Sequence, residues 1–101
     1  MLNLNHNQVS QVYRKEVLIM TKKELQTLKQ EYKNAIFETY HSFYKISTAR
    51  TQENEISYNY KLHTEVVIER ILKGLKINPE ELVSENEKNY LQKIAMETAT
   101  K

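Results

Sequence analysis

Histidines and glutamates are the residues of this chain that could carry acid–base or metal chemistry. Beyond the N-terminal region the histidines are His41 and His63, and neither has a histidine or carboxylate three or four positions later. A helical metal site of the H-E-x-x-H type needs that spacing. The chain has no Asp, so a Ser-His-Asp triad cannot form, and no pair of glutamates falls in an apolar setting that would raise a pKa.

Two further residue types exclude other kinds of site. A chain without cysteine has no disulfide, no thiolate nucleophile and no zinc finger. A single glycine cannot build a glycine-rich phosphate loop. We therefore predict that the protein is not an enzyme, with no catalytic residue, metal, cofactor or small-molecule substrate.

Aromatic residues are the most unusual part of the composition, with Tyr 7 and Phe 2. Tyrosine rings pack while their hydroxyl groups stay hydrated, which suits protein interfaces. The alternative is that these rings line the core of a bundle and its rim. The candidate protein interface consists of Tyr32, Phe37, Tyr40, Tyr44, Tyr58 and Tyr60.

Basic residues fall along two helix faces and form a candidate basic patch. The chain has 15 basic and 13 acidic residues, and outside its first 19 residues the two kinds are nearly equal in number. This balance does not favour nucleic acid as the partner, and a solvated charged face is the alternative interpretation. The candidate patch consists of Lys22, Lys29, Lys33, Arg70, Lys73 and Lys76.

Helix-start signals define the elements that must position these residues. Thr21 with Glu24, and Asn78 with Glu81, each predict a capping box, and an apolar residue precedes each cap. Apolar spacing predicts a first helix from about Lys22 to Ile46, with an apolar face wide enough to contact two neighbours.

The second helix is predicted from about Glu55 to Lys73 or Leu75, capped by Thr51 or Asn54. Ile56, Tyr60, His63, Val67 and Ile71 form one stripe, and further apolar residues predict that the second half of this helix is the most buried stretch. Gly74 is predicted as a left-handed C-cap.

The rest of the chain completes the predicted fold. A short helix is expected from Pro79 to Val83, and Ser84 with Glu87 predicts a last helix from Glu85 to about Ala99. The fold class is therefore all-α: a three-helix bundle with a short fourth helix before the last. No apolar run reaches the roughly 20 residues of a membrane span, and we expect a cytoplasmic location.

Residues 1–19 differ in composition, and we expect a flexible leader followed by a helical bundle domain over residues 20–101. In an alternative interpretation, Val9, Tyr13, Val17 and Met20 extend the first helix backwards. Residues 15–17 can be encoded by a ribosome-binding purine run, so we hypothesise that Met20 is the native start. An intact-mass spectrum of the native protein beginning at Met1 would contradict this.

Residues 68–82 resemble the closing helices of phage-repressor-type helix-turn-helix domains, where a Gly-containing turn precedes a capped P-E-E-L helix. The preceding residues of that motif have no counterpart, because residues 22–46 read as one long helix. We carry over no base-contacting residue from this resemblance.

Composition also guides the functional prediction. Frequent Lys, Asn, Ile, Tyr and Glu without Asp or Trp are typical of AT-rich bacterial genes. We expect a small regulatory or accessory protein that binds a macromolecule, in control of plasmid replication or of transcription on a mobile element. We expect its partner to be a protein, with a second copy of the chain and nucleic acid as alternatives, the latter not favoured by the charge. The alternative is an antitoxin-like protein, or one similar to bacteriocin immunity proteins.

Overall fold

Residues 20–100 of the chain are described by a computed structural model, and within them all regular structure is helical. The helices are α1 (Lys22–Thr48), α2 (Gln52–Gly74), α3 (Pro79–Leu82) and α4 (Glu85–Ala99). This confirms an all-α bundle of three long helices with a short one before the last. The predicted leader lies outside the described residues. No helix in residues 20–100 has the length and apolar content needed to span a bilayer.

Reciprocal capping boxes fix the starts of α1 and α4, as predicted. The Glu24 N–H donates to the Thr21 hydroxyl at 3.0 Å, and the Thr21 N–H donates to the Glu24 carboxylate at 2.9 Å. Ser84 and Glu87 make the same exchange, at 3.2 and 3.1 Å. Each box satisfies backbone donors that a helix start would otherwise leave unpaired.

The start of α3 differs from the prediction of a capping box. The Asn78 side chain accepts a hydrogen bond from the Glu80 N–H at 3.0 Å, two residues on, in the manner of an Asx turn. Pro79 occupies the first turn of this four-residue helix, as expected. The predicted reciprocal bond with Glu81 is wrong, because the short Asn side chain is committed to the nearer N–H.

The end of α2 also corrects a prediction. Gly74 does not have a positive φ, and the left-handed residue is Lys76, with φ 64°. The Lys76 N–H bonds to the Lys73 carbonyl, and the Ile77 N–H bonds to the Leu72 carbonyl. This is a Schellman closure, which requires its left-handed residue two positions beyond the last helical one. Since α2 continues through Gly74, that position falls on lysine.

Helix α1 lies between α2 and α4, which have little direct contact with each other. This confirms that the wide apolar face of α1 serves two neighbours. The main core cluster consists of Tyr32, Ile36, Leu72, Val83 and Leu91. Because residues 22–48 form one uninterrupted helix, the helix-turn-helix resemblance does not extend into α1.

Small residues line the contacts of α1. On α1, Ala35, Thr39 and Ser42 are buried at helical spacing, and the Thr39 hydroxyl lies 3.2 Å from the Lys61 carbonyl oxygen of α2. On α4, the buried small residues are Ala95 and Ala99. Short side chains at these positions let the helix backbones approach closely.

Candidate protein interface

The largest apolar stripe of α2 points away from the bundle. We define the α2 stripe as Ile56, Tyr60, His63, Val67 and Ile71. The exposed fractions of its apolar members are 59% for Ile56, 68% for Tyr60, 36% for Val67 and 50% for Ile71, and His63 is also exposed. Leu72 is the only buried residue of α2. The prediction that the second half of this helix is the most buried stretch is therefore wrong.

The inner side of α2 carries two carboxylates beside its core residue Leu72. The Tyr32 hydroxyl of α1 donates to the Glu69 carboxylate at 2.7 Å, and the Tyr32 ring is fully buried. Lys88 of α4 places its ammonium nitrogen 5.9 Å from the centre of the same ring. One turn before Glu69, Glu65 is half-buried. Charged groups of α2 and α4 thus meet around one tyrosine of α1.

The environment of this cluster shifts two pKa values. Burial raises the pKa of Glu65, and the negative charge of Glu69 adds to the increase, whereas Lys88 opposes it. Burial also raises the pKa of Tyr32, reinforced by its hydrogen bond to Glu69. The prediction that no glutamate pair sits where a pKa would rise is therefore wrong. The sequence does contain a signal for this pair: the spacing of Glu65, Glu69 and Leu72 puts both carboxylates on the same helix face as the buried leucine.

A cavity of about 190 Å³ adjoins this cluster, below the usual range of 300–1,000 Å³ for small-molecule pockets. Tyr32, Glu69 and Lys88 line it together with Lys73 and residues of the α3 turn. A tyrosine that stays protonated and donates to a carboxylate holds α1 and α2 together. Within residues 20–100 no group of three or more metal-ligating side chains is suited to a metal ion.

The predicted aromatic interface divides between three places in the structure. Tyr32 belongs to the core, so its ring is not available to a partner. Tyr40, Tyr44 and Tyr58 are half-buried and line a groove of about 320 Å³ with Phe43. Tyr60 stands apart on the α2 stripe.

The aromatic groove is braced by polar and ring contacts. Gln92 of α4 donates to the Tyr44 hydroxyl at 2.9 Å, and the Phe43 ring lies 5.4 Å from Tyr44 and 5.9 Å from Tyr58. Phe37 stacks on His41 at 5.6 Å and packs against the core. A binding role for this groove stays a prediction.

The predicted basic patch is partly neutralised within the molecule. Lys29 and Lys33 of α1 lie 3.7 and 3.8 Å from the Glu87 carboxylate of α4. Lys73 borders the small cavity that also contains Glu69. Lys22, Arg70 and Lys76 are exposed. A role for the six in binding nucleic acid is not favoured by this pairing.

Comparison with protein-family models, with curated proteins and with solved structures finds no match to this chain. The site must therefore be interpreted from its own geometry. Helix α2 has apolar side chains on both faces: the exposed α2 stripe outside, and Ile68 and Leu72 on the bundle side beside the carboxylates of Glu65 and Glu69.

Proposed function

We propose that this protein acts by binding another protein chain through the α2 stripe, as a small regulatory or accessory protein without catalytic activity. The observation that supports the proposal is the exposure of Ile56, Tyr60, Val67 and Ile71 along one line of α2. Single exposed apolar residues need no explanation, but a continuous line of them marks an interaction site.

The polar cluster around Tyr32 supports the non-catalytic part of the proposal. Its hydroxyl and carboxylate are already hydrogen-bonded to each other and join two helices. A cytoplasmic location, and control of replication or transcription on a mobile element, are retained as predictions from the sequence.

The test is a pull-down of the tagged full-length chain from its host lysate, with and without nuclease, read by mass spectrometry. Wild type is compared with Val67→Glu, which places a charge in the stripe. The matched control is Tyr90→Glu, at a residue 63% exposed on α4. Circular dichroism verifies that both variants keep their helical content.

We expect a nuclease-resistant protein, or the untagged chain itself, to be retained by wild type and by Tyr90→Glu and to be lost by Val67→Glu. A partner that Val67→Glu retains at the wild-type level would refute the proposed site. A partner removed by nuclease but unaffected by Val67→Glu would favour nucleic acid binding by another surface.

A further inference from the structure

We infer that the occupant of the α2 stripe is the same stripe of a second copy of this chain, with the two α2 helices antiparallel about a two-fold axis that passes between His63 and Thr64. This inference rests on the proposed function and specifies the partner.

The spacing of the stripe keeps it on one side of α2. Ile56, Tyr60, His63, Val67 and Ile71 follow one another at steps of four, three, four and four residues. These steps stay close to the 3.6 residues of a helical turn, so the stripe can face one partner helix along its length. In a single copy of the chain most of the stripe is exposed, because α1 contacts another side of α2, near Lys61. Tyr60 also borders a groove that residues of α1 line.

The stripe is self-complementary about its centre. Ile56 and Ile71 are equally far along the sequence from the point between His63 and Thr64, and so are Tyr60 and Val67. In an antiparallel pair each Ile56 therefore lies opposite Ile71 of the second copy, and each Tyr60 lies opposite Val67. An isologous two-fold interface requires this kind of self-matching.

Charge selects the antiparallel orientation over the parallel one. Glu53 and Glu55 lie in the first turn of α2, and the exposed Arg70 lies near its end. Lys73 is also near the end but borders the small cavity on the bundle side. Antiparallel pairing brings acidic residues beside basic ones at both ends, and the helix dipoles also oppose favourably. Parallel pairing would place like charges together. Glu55 lies 3.6 Å from Arg50 of its own chain, but both side chains are exposed and such a pair is weak.

The size of the chain gives the pairing a physical benefit. The 23 residues of α2 extend over roughly 35 Å, and the paired stripes cover most of that length. A chain of 101 residues buries a small core, so covering exposed apolar surface with a second copy adds stability.

The absence of cysteine from the sequence permits a clean cross-linking test on the full-length chain. Three single variants probe the stripe: His63→Cys, Ile56→Cys and Ile71→Cys. The control is Tyr90→Cys, on the exposed side of α4. Disulfide formation is followed on non-reducing gels, with a size tag on one chain of each mixture. Sedimentation velocity of wild type over a concentration series measures the mass.

We expect a wild-type dimer, rapid cross-linking of His63→Cys to itself, and none of Tyr90→Cys. Ile56→Cys mixed with Ile71→Cys should cross-link about tenfold faster than either variant alone, because only the mixture places the two thiols opposite each other. Equal or faster cross-linking of Ile56→Cys with itself would indicate a parallel pair and overturn the inference.

A monomer at every concentration would also overturn it. In that case cross-linking of the same variants in host lysate separates the two proposals. A host protein captured at His63→Cys and Ile71→Cys, but not at Tyr90→Cys, would leave the binding function standing with a different partner. Capture at none of these positions would refute both proposals.

Discussion

Removal of one buried hydroxyl tests the polar link between α1 and α2. In Tyr32→Phe the ring stays in the core, but the 2.7 Å hydrogen bond to Glu69 is lost. Hydrogen bonds to charged groups contribute about 1.5–3 kcal/mol, and the half-exposed Glu69 can recover part of this from water. We therefore expect the free energy of unfolding to fall by about 1.5–2 kcal/mol, which lowers the Tm by roughly 6–15 °C for a domain of this size.

The assay is urea unfolding followed by circular dichroism at pH 7 and one fixed protein concentration, because an associating chain has concentration-dependent stability. Tyr90→Phe is the matched control, since it removes the same atom from an exposed ring. If the two variants differ by less than about 0.5 kcal/mol, the Tyr32–Glu69 bond does not contribute as reasoned.

The same bond makes a prediction at high pH. The folded state raises the pKa of Tyr32 above its ordinary value, so this contribution to stability is complete below about pH 10 and is lost as pH rises further. Wild type should therefore lose stability more steeply above pH 10 than Tyr32→Phe. Parallel slopes for the two proteins would contradict the raised pKa.

Three further predictions concern single positions. Lys76→Gly should raise the free energy of unfolding by about 0.5–1 kcal/mol, because Lys76 has a left-handed backbone conformation that suits glycine. Urea denaturation measures this change, and a loss of stability would contradict it. Glu65→Gln should stabilise the protein at pH 7, because burial raises the pKa of Glu65 and makes its ionised form costly. The gain should shrink as pH falls through the raised pKa and be absent below about pH 4.3. A gain that persists at pH 3 would refute this. Hydrogen bonds from Ser84 and the charges of Lys29 and Lys33 lower the pKa of Glu87. The contribution of Glu87 to stability is therefore present above about pH 4.3 and is lost as pH falls. Acid unfolding of Glu87→Gln should accordingly be less steep than that of wild type.

Local signals in the sequence predicted most of the fold. Caps at Thr21 and Ser84 fixed two helix starts, because a side chain that satisfies a backbone donor acts within four residues and needs no tertiary context. The prediction of Gly74 as the left-handed C-cap was wrong, because the position at which α2 ends depends on the packing of Leu72 and Ile77 in the core. Tertiary contacts decide such boundaries, and composition does not.

The candidate site was harder to predict because periodicity shows which residues share a face but not where that face points. The spacing of Ile56, Val67 and Ile71 correctly predicts that they share one stripe, and their apolar character favours burial. The structure turns this stripe outward because the bundle side of α2 carries Glu69 and Leu72, which contact Tyr32 and the core. A helix with two apolar faces has no unique inward direction in sequence alone.

The small residues of α1 and α4 change which substitutions the bundle should tolerate. Ala35, Thr39 and Ser42 are buried on α1, and the Thr39 hydroxyl lies 3.2 Å from the Lys61 carbonyl oxygen of α2, so larger side chains here must displace neighbouring atoms. A comprehensive substitution scan should therefore rank these positions, with Ala95 and Ala99, by side-chain volume and not by hydrophobicity. Glycine or serine should be accepted at these positions, whereas leucine or phenylalanine should not. The volume of the side chain therefore sets which residues the centre of the bundle tolerates.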